Sequence, residues 1–116
     1  MSKHDPVVAL RHMLNHAKET VVLSQGKSRA DLDTDRLLNL ALTRLLEIVG
    51  EAAGRVPKEL CERHPEIPWP QIVSLRNRLI HGYDSVDFNI LWQILTTDLP
   101  PLIADLELVI AAESDE

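Results

Sequence analysis

The stretch from Leu37 to Ala53 constrains the fold more than any other part of the chain. Leu37, Leu38, Ala41, Leu42, Leu45, Leu46, Ile48, Val49, Ala52 and Ala53 cover well over half the circumference of a helix. A helix that apolar is predicted to be central, touching partners on several sides. Arg36, Asn39, Thr43, Glu47, Gly50 and Gly54 form the remaining stripe. Small residues at 50 and 54 permit close approach of another backbone, within the chain or across a dimer. Arg44 and Glu51 fall in mostly apolar surroundings, where they either snorkel outward or are held in polar contacts.

The other segments read as helices arranged around this one. Asp5-Pro6 opens the first, with Asp5 as N-cap and Pro6 at the first helical position. Val7, Leu10, Leu14, Ala17 and Val21 then make a narrow apolar seam, and Gly26 is a natural residue to end it. Asp33 or Thr34 is expected to cap the second, central helix, which Val56-Pro57 breaks. Lys58 to His64 can form a short extra helix, followed by a connector punctuated by Pro65, Pro68 and Pro70. Pro70 is predicted to start a third helix that buries Ile72, Val73, Leu75, Leu79 and Ile80 and ends at Gly82. Asp87 caps a fourth, which Pro100-Pro101 must kink or restart. No segment has a strand period. The expected fold is therefore all-α, an antiparallel four-helix bundle with a short extra helix and a kinked or broken last helix, forming one domain over residues 1–116.

Composition removes several function classes. The apolar runs are far shorter than the ~20 residues that span a bilayer, and no leader-like segment precedes the first helix, so no membrane partner is expected. The single cysteine, Cys61, suits a reducing cytoplasm and reads as a small packed apolar residue. A net charge of −6 argues against broad nucleic-acid binding, so any such contact needs a local basic patch, one that two subunits could assemble. His12 and His16 have a spacing that could hold a metal, but without further ligands they read as a solvated or partly packed face. Gly26-Lys27-Ser28 echoes the end of a phosphate-binding loop but lacks its upstream glycine and preceding strand.

The chemistry is concentrated in Arg76-Asn77-Arg78-Leu79-Ile80-His81-Gly82-Tyr83. Asn77 and His81 share a face of an ideal helix, whereas Arg76 and His81 lie about 140° apart at ~100° per residue. For Arg76 and His81 to act together, the helix must unwind near Gly82, or two subunits must bring their copies of the stretch together. Such a pocket suits RNA phosphodiester cleavage without metal. The imidazole handles a proton near neutral pH, the guanidinium stabilises charge on the phosphate, and the ribose 2′-hydroxyl is the internal nucleophile. By itself the Arg/His spacing more often belongs to a helix-end histidine satisfied locally beside two surface arginines.

This stretch resembles the Arg, four residues, His, any residue, Tyr motif of HepT-like proteins in the HEPN superfamily. The likeness extends to Leu46-Glu47-Ile48-Val49-Gly50-Glu51-Ala52-Ala53, to Pro65-Glu66-Ile67-Pro68-Trp69, and to the blocks from Val86-Asp87 to Asp98-Leu99-Pro100. The resemblance implies an all-helical homodimer with Arg/His motifs facing each other, acting as a metal-independent ribonuclease toxin that needs no cofactor. It assigns catalysis to Arg76 and His81, with Asn77 and Arg78 in support. It also implies a partner, an MntA-type nucleotidyltransferase antitoxin that transfers AMP to Tyr83. The alternative is a non-catalytic module that docks a nucleotidyltransferase and presents nucleotide or substrate to it.

Overall fold

The computed structural model describes residues 5–82 and 85–114. Helix α1 spans Pro6–Ser24, α2 Asp31–Thr34, α3 Arg36–Ala53, α4 Lys58–Arg63, α5 Trp69–Val73 and α6 Leu75–Leu79. After α7 (Phe88–Gln93) the chain winds as a π-helix over Ile94–Asp98 and continues into α8 (Leu99–Ser114). The protein is all-α, and no helix among the described residues is long and apolar enough to cross a membrane.

Helix α3 is central, as its apolar girth requires. It packs against α1 on one side and against α5 and α6 on another, while α8 closes over α1. Leu10, Met13, Leu42, Leu46, Leu99 and Leu106 are fully buried in one apolar cluster that runs through these helices. Side-chain caps set three of the helix starts. Asp5 Oδ1 accepts from the Val7 amide at 2.9 Å, Asp35 Oδ1 from Leu38 at 3.0 Å, and Asp87 Oδ1 from Ile90 at 3.0 Å. Gly26, two residues past the end of α1, takes the left-handed conformation with φ +76°.

Three boundaries differ from expectation. The cap of α3 is Asp35, because Asp31–Thr34 forms a separate turn of helix rather than the start of α3. The predicted third helix is two short ones, α5 and α6, divided at Ser74 (φ −94°, ψ 16°), whose hydroxyl donates back to the Pro70 carbonyl at 2.8 Å. Helix α6 then stops at Leu79 rather than at Gly82. The proline pair, by contrast, changes the winding of the last helix without interrupting it. Pro100 and Pro101 have no amide to offer the preceding turn, and a normal turn would press the ring of Pro100 against a carbonyl. The wider π turn accommodates this, with the Leu99 amide donating five residues back to Ile94.

Two contacts fix the periphery. Gly50 sits under α5, where an added Cβ would stand 2.9 Å from the Ile72 carbonyl oxygen. At the end of α4, Arg63 and His64 clasp Glu113 of α8. Arg63 Nη2 lies 2.7 Å from Oε1, and His64 Nε2 lies 2.7 Å from Oε2. The hydrogen bonds from Arg63 and then from His64 hold the Glu113 carboxyl down to about 2.

Gly50→Ala is expected to lower the unfolding midpoint by about 5 °C, because overpacking outweighs the ~1 kcal/mol that alanine gains in a helix. Thermal denaturation followed by circular dichroism checks this. A depressed carboxyl stabilises the fold above the ordinary carboxylate range and ceases to do so as pH falls towards 2. Glu113→Gln should therefore be less stable than the parent at pH 7, with the difference closing as unfolding is measured from pH 5 down to pH 2.

Candidate active site

The polar stripe of α3 forms the floor of the site. Asn39, Thr43 and Gly50 are buried, covered by the segments that carry the Arg/His motif and those flanking it. Asn39 Nδ2 donates to the Leu32 carbonyl at 2.9 Å, tying the turn of α2 to the helix it precedes. A cleft of about 260 Å³ opens between α3 and the chain around Ile80 and Val86, lined by Arg36, Asn39, Thr43, Arg44, Glu47 and Phe88 among others. A second cleft, between α3 and α5–α6, is lined by Glu47, Gly50, Glu51, Gly54, Val73, Arg76 and Asn77. Glu47 lines both.

Arg76 projects from α6 towards α3, where its Nε lies 3.2 Å from Glu47 Oε2. Its side chain is 65% exposed, whereas that of Glu47 is 17% exposed. Asn77 lines the same cleft. Arg78, two residues further on, faces another neighbour. It meets Asp98 of the π segment at 3.5 Å and lines a separate cleft with Glu66, Ile72, Leu75 and Asp105. Arg76 and Arg78 are therefore not brought together. Arg44 and Glu51 reach outward and pair with each other at 3.0 Å.

His81 is off the helix. The Ile80 amide closes the last turn of α6 on the Arg76 carbonyl at 2.9 Å, and the backbone then becomes extended. Ile80 makes an isolated antiparallel bridge with Val86. The His81 amide donates to the Ser85 carbonyl at 2.6 Å, and the Asp87 amide donates to the Leu79 carbonyl at 2.8 Å. Gly82 follows with φ +80°, a conformation other residues rarely adopt. Asn77 and His81 do not share a helix face, because the helix ends at Leu79. Instead the imidazole is solvent-exposed, with Nε2 3.9 Å from Asp87 Oδ2. Tyr83 lies outside the described residues.

Glu47 and Asp87 are site neighbours that pattern reading did not single out. Glu47 is 29 residues from Arg76 and belongs to an ordinary polar stripe. Asp87 was recognisable only as a helix cap, and one of its oxygens serves that purpose. His12 and His16 are accounted for locally, since His16 Nδ1 lies 2.7 Å from the His12 carbonyl. Among the described residues no group of three or more His, Cys, Asp or Glu could hold a metal. Burial pushes the Cys61 thiol up, in keeping with a packed rather than a reactive cysteine.

Residues 10–109 match the family Ribonuclease HepT-like, and the chain belongs to that family. Among curated proteins it is 32% identical to one named "Putative RNase MJ1380" from Methanocaldococcus jannaschii, over 94% of this chain and 100% of that protein. It is 34% identical to "Putative RNase TTE0752" from Caldanaerobacter subterraneus subsp. tengcongensis, over 90% and 93%. It is also 39% identical to "Probable ribonuclease HepT" from Thermococcus cleftensis, over 66% and 70%. No solved structure matches the chain. The family places the protein among ribonucleases and makes RNA the substrate class to consider.

Proposed function

We propose that the protein is the ribonuclease toxin of a toxin–antitoxin pair, cleaving RNA without metal at a site built from Arg76 and His81. The observation that carries this reading is the family match across residues 10–109 together with an intact Arg76-to-His81 motif inside it. In this scheme the ribose 2′-oxygen attacks phosphorus and the 5′-oxygen leaves, giving a cyclic phosphate and a free 5′-hydroxyl. His81, exposed at the end of α6, moves a proton in this exchange, and Arg76 stabilises charge developing on the phosphate oxygens. Both tasks fall to side chains, so the scheme calls for no metal. Asn77 lies beside Arg76 and supports it, while the position of Arg78 suits contact with RNA or with the antitoxin away from the reacting phosphate.

The active form in this proposal is a homodimer. Leu37, 81% exposed, shares one side of α3 with the exposed Leu40, Arg44 and Glu51, and Glu51 borders a cleft with the exposed Val73 and Arg76. Apolar side chains left open on that face favour burial against a second copy. Pairing two copies there would bring the Arg44 and Arg76 side chains of both subunits to one surface. It would thus place the motif arginines of two subunits together on a protein whose net charge is −6.

The proposed control is adenylylation of Tyr83 by an MntA-type nucleotidyltransferase antitoxin. The phenol oxygen attacks the α-phosphorus of ATP and pyrophosphate leaves. A bulky anion two residues from His81 would block RNA and compete for Arg76. The second reading, a non-catalytic docking module, draws on the pairing of Arg76, Arg78 and Arg44 with the carboxylates of Glu47, Asp98 and Glu51.

Purified protein is expected to cleave RNA in the presence of chelator, and His81→Ala to reduce the rate at least a hundredfold. Full activity in that variant would refute the mechanism, and an inactive parent that still binds its partner tightly would favour the docking module. Co-expression with a nucleotidyltransferase encoded next to this protein should add AMP to the chain by intact-mass spectrometry. Tyr83→Phe should abolish the adduct.

A further inference from the structure

We infer that Glu47 is a positioning residue for Arg76, holding the guanidinium so that its two Nη groups face the RNA phosphate. This inference rests on the ribonuclease reading. Arg76 stands on a helix of only five residues, bounded by the break at Ser74 and the extended backbone at Ile80. A long, exposed arginine there has many rotamers, and each one frozen at the moment of reaction costs entropy. Glu47 supplies the restraint from a better foundation. It lies on the 18-residue central helix, largely buried, one turn before the glycine on which α5 rests. Its Oε2 takes the Nε edge of the guanidinium. The opposite edge, with both Nη atoms, is left for a bidentate contact.

The location of Glu47 also fits this role. It is common to the cleft that contains Arg76 and to the cleft lined by Ile80 and Val86, so it lies between the helix bearing Arg76 and the bridge that carries the chain to His81. Its charge is informative as well. A carboxylate beside a phosphate site weakens ground-state attraction for RNA, so Glu47 is a poor device for tight binding. Its use is geometric, and geometry bears on the transition state more than on affinity.

The test is steady-state cleavage of a short RNA by the full chain carrying Glu47→Ala or Glu47→Gln, alongside thermal unfolding of each. Glu47→Ala is expected to lower kcat roughly tenfold to a hundredfold, the range for a misplaced catalytic group, with KM unchanged or lower because a repelling charge is gone. Glu47→Gln should recover most of kcat, since its amide oxygen can still accept from Nε. The unfolding midpoint should move little, as for other partly exposed ion pairs. A drop in the midpoint with unchanged kcat would reduce the pair to a structural tie, and a raised KM at unchanged kcat would make Glu47 a binding residue; either overturns the inference. If Glu47→Ala matches an active parent, this role alone fails. If the parent cleaves no RNA, the ribonuclease reading fails and takes this role with it.

Discussion

The close approach of α5 to α3 at Gly50 underlies the rest of the site. A side chain at that position would collide with the Ile72 carbonyl, which is backbone and has no rotamer to escape into. Without one, α5 lies directly on the central helix, and α6 follows it down. Glu47 is one turn before Gly50 on the same helix, close enough for its carboxylate to reach Arg76. The separation of Arg76 from α3 is thus set by packing, and the ion pair works at a distance that packing has already fixed.

The end of α6 is the second determinant. On a continuous helix, residues five apart point in different directions, and His81 would be committed to a face away from Arg76. Ending the helix at Leu79 frees the backbone to extend, pair briefly with Val86 and turn at Gly82. His81 is therefore positioned by its backbone hydrogen bond to Ser85 and by the neighbouring cap of α7, not by helical periodicity. Asp87 links the two, because one of its oxygens starts α7 while the other stands near the imidazole.

Acidic residues accompany three arginines of this region. Arg76 has Glu47, Arg44 has Glu51 and Arg78 has Asp98. Exposed pairs of this kind contribute little to stability. They do restrain long side chains and mute the local positive field.

Much of the architecture was legible in the sequence because helix periodicity, proline and capping residues act locally. The girth of α3, the caps at Asp5 and Asp87, the turn at Gly26 and the short helix before the proline connector all follow from neighbours within a few positions. So does the concentration of chemistry between Arg76 and Tyr83. The division at Ser74, the early end at Leu79 and the π winding before Pro100 depend on how segments must bend to lie on α3 and α1. No local pattern encodes that fit. The pairing of Glu47 with Arg76 joins residues 29 positions apart, and the separation of Arg76 from Arg78 depends on which neighbour each meets. The sequence by itself determined where side chains able to bind phosphate and move a proton are concentrated. Tertiary structure alone decided which of them face one another, because direction in space is fixed by long-range packing rather than by spacing along the chain.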